Sequence, residues 1–188
     1  MGEARARRRW RGAIAVVAAV AVLVALNGCR NKLVDGDDQG SEIGPAGGIV
    51  FYDKGEHTDG WRYLEAWTAD ETGTFQWKTS DTSTPGTSTN VGSGYANTYS
   101  AMTGTEHPAA EVVRNATHGG YNDWFLPSQD ELNEIYRQRG VIGDFTSAYY
   151  WSSSEFSSDG AWRQFFGGGG QVGGHKSSGL RVRAVRAF

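Results

Sequence analysis

Cys29 is the only cysteine in 188 residues, and its position limits what the chain can become. It follows a basic start, with Arg5, Arg7, Arg8, Arg9 and Arg11, and then an uncharged apolar run, "GAIAVVAAVAVLVALNG". A basic n-region before an apolar h-region is the layout of a bacterial export signal. The run also reaches the minimum length of a membrane-spanning helix, about 17 residues. Leu26-Asn27-Gly28-Cys29 argues for the first reading, because it looks like a lipobox, where a signal peptidase cuts before a cysteine that then carries lipid. Residues 1–28 are therefore expected to be a lipoprotein signal peptide, and Cys29 the lipidated residue that holds the protein to a membrane. An exported domain whose one cysteine is acylated has no internal disulfide. Its stability must come from packing and hydrogen bonds. Arg7-Arg8-Arg9 also leaves twin-arginine export open. Arg30, where some lipoproteins carry an Asp that retains them at the inner membrane, points outward, to the outer membrane or cell surface.

The leader holds five of the 18 Lys and Arg and one of the 21 Asp and Glu, which leaves 13 and 20 and a formal net charge of −7. That charge disfavours nucleic acid as a partner. Residues 29–43 contain "NKLVDGDDQGS", which is short, polar and acidic, and fit a flexible tether. Residues 44–188 are 145 in number, a usual size for one domain.

Inside that domain "GGIVFY" (47–52) and "GWRYLEAW" (60–67) read as a hairpin. "TSDTSTPGTSTNVGSGYANT" (79–98) reads as a long loop with no regular element. Two helices are visible. "HPAAEVVRNATHGG" starts at Pro108, carries Ala109, Val112, Val113 and Ala116 on one face, and stops at Gly119-Gly120. "LPSQDELNEIYRQRG" has a capping box, Ser128 with Glu131, an apolar face of Leu132, Ile135 and Tyr136, and Asp130 and Glu131 at the positive helix end. The terminal "LRVRAVRAF" alternates Leu180, Val182 and Ala184 against Arg181 and Arg183 and then slips at Val185, which predicts a last strand with a bulge or with both faces partly covered. "AWRQFFGGGGQVGGHK" (161–176) has little to bury and no periodicity, so it reads as surface. The inventory is α+β.

"GPAGGIVFYDKG", "GWRYLEAW", "GGYNDWFLPSQDELNEIY", "YYWSSSE", "AWRQFF" and "VRAVRAF" come in an order that resembles the Lcl C-terminal domain family of bacterial surface lipoproteins and adhesins. The resemblance runs from Gly44 to Phe188, and "DWFLPSQDELN" and "YWSSSE" are its specific blocks. It implies a C-type-lectin-like fold, with two helices, a hairpin joining the termini and a loop-rich half that faces a ligand. Some members resemble the target proteins of diversity-generating retroelements, in which AAC codons of this C-terminal segment are rewritten as NNC. Such codons never encode Trp, Gln, Glu, Lys or Met. From Phe156 to Leu180 only Trp162, Gln164, Gln171 and Lys176 fall outside the NNC set; the other 21 residues are permitted.

No catalytic, metal or cofactor site is expected. His57, His107, His118 and His175 show no metal-ligand spacing. Asn122-Asp123-Trp124 holds the residues of a lectin calcium motif in another order, and no cluster of oxygen ligands accompanies it. Ser152-Ser153-Ser154 lacks a nucleophile elbow and reads as strand hydroxyls bonded to backbone beside a packed Trp151. The related formylglycine-generating enzymes depend on cysteine chemistry, for which nothing remains once Cys29 carries lipid.

The expectation is a lipid-anchored, non-enzymatic surface protein that binds an external protein or glycan. Its contact residues are Phe156, Asp159, Arg163, Phe165, Phe166, Val172 and His175, on a scaffold of Trp151, Glu155, Trp162, Gln164 and Lys176. Replacing Arg163, Phe165 and Phe166 together by Ala is expected to leave folding intact and to abolish ligand binding. Two alternatives stay open: a structural envelope lipoprotein, or a polysaccharide-binding module using Tyr95, Tyr99, Tyr121 and Trp124 against sugar rings.

Overall fold

A computed structural model describes residues 42–188. The leader, Cys29 and most of the tether lie outside the described residues. Strands β1 (Ile49–Thr58) and β2 (Trp61–Ala66) form the expected antiparallel hairpin. Asp59 and Gly60 close it with φ of 52° and 84°, the left-handed pair that an Asp-Gly turn adopts and that matches the twist of the strands it joins. The last strand, β6 (Val185–Ala187), pairs with the free edge of β2, so both ends of the domain meet in one sheet of order β1-β2-β6. A second antiparallel sheet contains β3 (Tyr149–Glu155), β4 (Gly160–Phe165) and β5 (Gln171–His175).

Between the sheets run α1 (Gly94–Ala96), continuing as a π-helical turn at Asn97–Ala101, then α2 (Pro108–Arg114), α3 (Gln129–Arg137) and α4 (Arg139–Ile142). The architecture is α+β. Ala109, Ala110 and Val113 of α2 pack in a cluster with Trp77, Met102, Trp124 and Trp151. Leu132 and Ile135 of α3 pack in a second cluster with Phe51, Leu64, Tyr150 and Val185. Each helix thus covers an apolar stripe that its spacing predicts, although α2 ends at Arg114, well short of Gly119-Gly120.

Three other expectations change. The 79–98 stretch is irregular only to Ser93, because α1 and the start of the π turn occupy its end. The Gly-rich 161–176 segment is two strands of a hairpin; glycine there removes the side chains that periodicity is read from, while the backbone ladder survives. The terminal segment is a strand only at Val185–Ala187. Before it, Arg181 bridges to Tyr150 of the second sheet while Val185 bridges to Phe125, so 180–184 cross between the sheets, with Val182, Arg183 and Ala184 buried. Arg183 is consequently buried, donating to Asp70 Oδ1 at 2.9 Å and to the carbonyls of Trp67 and Asp144 at 2.9 and 2.8 Å.

The capping box of α3 is present, and its acid does more than cap. Glu131 is fully buried; one carboxylate oxygen accepts from Ser128 N at 2.7 Å and the other from Gly92 N at 2.8 Å and Gly94 N at 3.3 Å. Burial pushes its carboxyl up to about 7, against the three backbone N–H groups that pull it down. A carboxyl raised from 4.5 to about 7 stabilises the fold fully below pH 4.5, and that contribution, about 3 kcal/mol, is lost as pH rises through 7. In urea unfolding, Glu131→Gln should therefore be most destabilising relative to wild type near pH 4.5, with the gap narrowing toward pH 7.5. A gap that widens with pH would mean that the N–H donors outweigh burial.

Candidate functional site

The β4–β5 hairpin owes its shape to where glycine replaces a side chain. At Gly169, φ is +82° and a Cβ would lie 2.4 Å from the Tyr136 ring, so the turn can sit on α3 only without one. A Cβ on Gly173 would lie 2.5 Å from the Phe156 ring, and one on Gly174 would lie 2.6 Å from Cδ of Arg163. Strand β5 is therefore a bare ribbon on which Phe156 and Arg163 lie flat. Side chains that are mobile elsewhere are held here against backbone.

Strand alternation then divides the expected contact residues between two faces. On one, Phe156 meets Trp162 edge to face at 4.8 Å and is 55% exposed. His175 Nδ1 lies 4.0 Å from Asp159 Oδ2 beside it. A hydroxyl donated by Ser157 at 2.7 Å holds the Asp159 carboxyl below its ordinary range. Phe156, Asp159 and His175 rim a shallow concavity of about 160 Å³ floored by Gly160, Gly173 and Gly174. On the other face the Arg163 guanidinium lies over the Tyr149 ring at 4.1 Å, and Phe165 packs on the same ring at 5.1 Å. Arg163 pairs in register with Val172, which is exposed. Arg163 Nε is buried with no hydrogen-bond partner, so the stacked guanidinium has donor capacity to spare.

The scaffold residues fix this ribbon from beneath. Gln164 is buried and donates to Asn133 Oδ1 on α3 at 2.9 Å and to the Gly169 carbonyl at 3.1 Å. Trp151 is buried and donates its indole N–H to the Phe75 carbonyl at 2.8 Å. Ser152 donates to the Trp162 carbonyl at 2.9 Å and Ser154 to the Ser88 carbonyl at 2.7 Å, in line with a structural role for the serine run. Lys176 is fully buried. Its ammonium donates to the Thr82 and Ser158 carbonyls at 2.9 and 2.7 Å and to the Glu155 carboxylate, which also accepts from Thr84 N at 2.8 Å.

Two expectations fail on burial. Phe166 is only 5% exposed, facing Tyr150 at 4.4 Å and Phe145 at 4.6 Å in the core, and is no contact residue. It sits one position past β4, where the chain turns in toward α3. Trp124 is likewise buried, its indole N–H given to the Tyr121 carbonyl at 3.1 Å, and offers no flat face to a sugar. Tyr149 is the residue that sequence reasoning missed. The alternation of Tyr149 against the buried Tyr150 and its pairing with Phe165 would have found it.

Among the described residues no group of three or more His, Cys, Asp or Glu could hold a metal ion, and no helix is long and apolar enough to cross a membrane. Residues 66–186 match the Lcl C-terminal domain family, and the chain belongs to that family. The match takes in α1 to α4, the second sheet and the first two residues of β6, while β1 and all of β2 but Ala66 lie before it. No curated protein matches the chain.

The neighbours Phe165 and Phe166 should behave oppositely. Phe166→Ala should cost about 3–5 kcal/mol in chemical denaturation, and Phe165→Ala about 1 kcal/mol or less. Lys176→Met, which strands the Glu155 carboxylate and two carbonyls, should cost about 3–5 kcal/mol. Equal losses at 165 and 166 would place both rings in the same environment and contradict the described packing.

Proposed function

We propose that the protein is a lipid-anchored surface protein, held by Cys29 in the outer membrane or at the cell surface, that recognises an external protein or glycan through the β4–β5 ribbon and is not an enzyme. Family membership points to a surface or secreted domain, and the C-type-lectin-like expectation belongs to this same reading. One observation carries it: Phe156, Asp159 and His175 lie on one face of the β4–β5 ribbon and Arg163, Phe165 and Val172 on the other, while the position of the ribbon is set by other, buried residues. Side chains that do not hold the fold are free to be chosen for a ligand. Exposed aromatic and arginine side chains are also those that contribute most to interfaces.

A diversified segment is part of the proposal. Gln164, Gln171 and Lys176, which NNC codons cannot encode, hold the frame: Gln171 donates to the Gln129 carbonyl at 2.8 Å, and Gln164 and Lys176 are fully buried. Trp162 backs Phe156. Under this reading the DNA for residues 156–180 has a near-copy close by, differing where the copy carries adenine, beside a reverse transcriptase gene. Codons for Phe156, Ser158, Arg163, Phe165, Gly168, Val172 and His175 then end in C, and mixed third bases would end the diversification claim.

Binding itself is tested with Phe156→Ala, Arg163→Ala and His175→Ala combined. The triple variant should keep the wild-type melting temperature within a few degrees, since none of the three is core, and should lose every ligand that wild type captures from a glycan array or a surface-protein library. Retained binding would move recognition elsewhere on the domain.

A further inference from the structure

A second concavity lies on the other sheet and shares no residue with the hairpin ribbon. It encloses about 340 Å³, near the lower end of the range for small-molecule sites, about 300–1,000 Å³. Trp61 from β2 and Tyr95 from α1 form its walls, Leu64 and Phe125 are among its buried apolar residues, and Asp59 and Asp123 add carboxylates. The wall is built rather than incidental. Tyr95 is 49% exposed yet stacked on Tyr99 at 4.6 Å and set edge-on to Phe125 at 5.9 Å. Gly92 sits so close to Trp61 that a Cβ would come within 2.9 Å of the indole, and the buried Glu131 carboxylate accepts from its N–H. An amphipathic aromatic ring is thus fixed in half-open position at low entropic cost, which is what stacking against a ligand face requires.

The charges narrow the ligand. Two carboxylates beside aromatic rings could suit a cation, but cations already serve them. Arg186 Nε donates to Asp123 Oδ1 at 2.6 Å, and Lys54 Nζ stands 3.9 Å from Asp59 Oδ2. Lys54 also occupies the face of Trp61, 4.0 Å from the ring centroid. What the carboxylates retain is acceptor capacity, since each offers more lone pairs than one cation contact uses. A neutral ligand with hydroxyl donors on its rim and a C–H face for Tyr95 meets these terms, and the volume fits one such ring.

We propose that the pocket between β2 and α1 binds a single neutral sugar ring, the terminal residue of a glycan, with Tyr95 stacked on its C–H face and Asp59 and Asp123 accepting from its hydroxyls. This site goes beyond the hairpin reading and stands or falls without it.

The test is saturation-transfer NMR and titration calorimetry on the purified full-length protein. The probes are methyl glycosides of glucose, galactose, mannose and N-acetylglucosamine, with glucuronate and tetramethylammonium as charged comparisons. At least one neutral glycoside should bind saturably in the millimolar range, and neither charged probe should bind as well. Tyr95→Ala and Asp59→Asn should each weaken it by about tenfold or more. Ala96→Phe adds bulk at an exposed wall position, removes no contact, and should abolish binding while leaving the melting temperature unchanged. The Phe156, Arg163 and His175 triple variant should bind as wild type. Absence of saturable binding by all four glycosides would overturn the proposal, as would stronger binding of tetramethylammonium or of glucuronate, or glycoside binding that survives Ala96→Phe.

Discussion

The ammonium of Lys176 is the point from which three separate parts of the domain take their positions. It reaches the Thr82 carbonyl in the long loop, the Ser158 carbonyl in the β3–β4 turn, and the Glu155 carboxylate at the end of β3, with the Trp77 ring 5.0 Å away. A second ammonium, Lys78 Nζ, ties Ser83 O and Thr84 Oγ1 at 3.1 Å each, and Thr84 Oγ1 in turn contacts His107 Nε2 at 3.0 Å. Burial lowers the His107 imidazole from its ordinary value, which favours a neutral ring between Thr84 and the Thr103 carbonyl. A loop rich in Ser, Thr and Gly has few apolar groups to pack. Its backbone carbonyls must be satisfied by donors brought from outside, and buried lysines supply several at once.

This arrangement separates holding from displaying. The β4–β5 ribbon is fastened by Gln164, Gln171 and Lys176, while Phe156, Arg163 and Phe165 rest on glycine backbone or on Tyr149. The first sheet follows the same rule with different chemistry. Glu65 is buried, accepts from Gly48 N at 3.0 Å and from Arg186 Nη1 at 3.1 Å, and so locks the entry of β1 to the last strand. Buried acid–base pairs of this kind contribute little net stability, but removing one partner is costly, which makes each a register pin. Surface side chains between such pins are left free of structural duty.

Several elements were legible because their determinants are close in sequence. The Ser128–Glu131 capping box, the first hairpin, the apolar stripe of α3 and the backbone-bonded serines of β3 all depend on partners nearby in sequence or on strand alternation. Gln164 and Lys176 were read as frame residues for another reason, since NNC codons cannot encode them, and both are buried. Phe166 was misread because one residue separates a strand end from a core position, and that step depends on the path of the turn. Asp59, Trp61 and Asp123 were not read as lining one concavity, since Trp61 and Asp123 stand 62 positions apart.

The sequence by itself determined the α+β class, the two principal helices, the first hairpin and the family, because these rest on local periodicity, caps, turns and ordered motifs. Tertiary structure alone decided which polar groups are buried and which aromatic rings are displayed. Arg183 meets Asp70 across 113 positions, Lys176 meets Thr82 across 94, and Glu131 meets Gly92 across 39. No local pattern specifies which face of a strand another segment will cover, and the free energy of a charged or aromatic side chain is set by that cover.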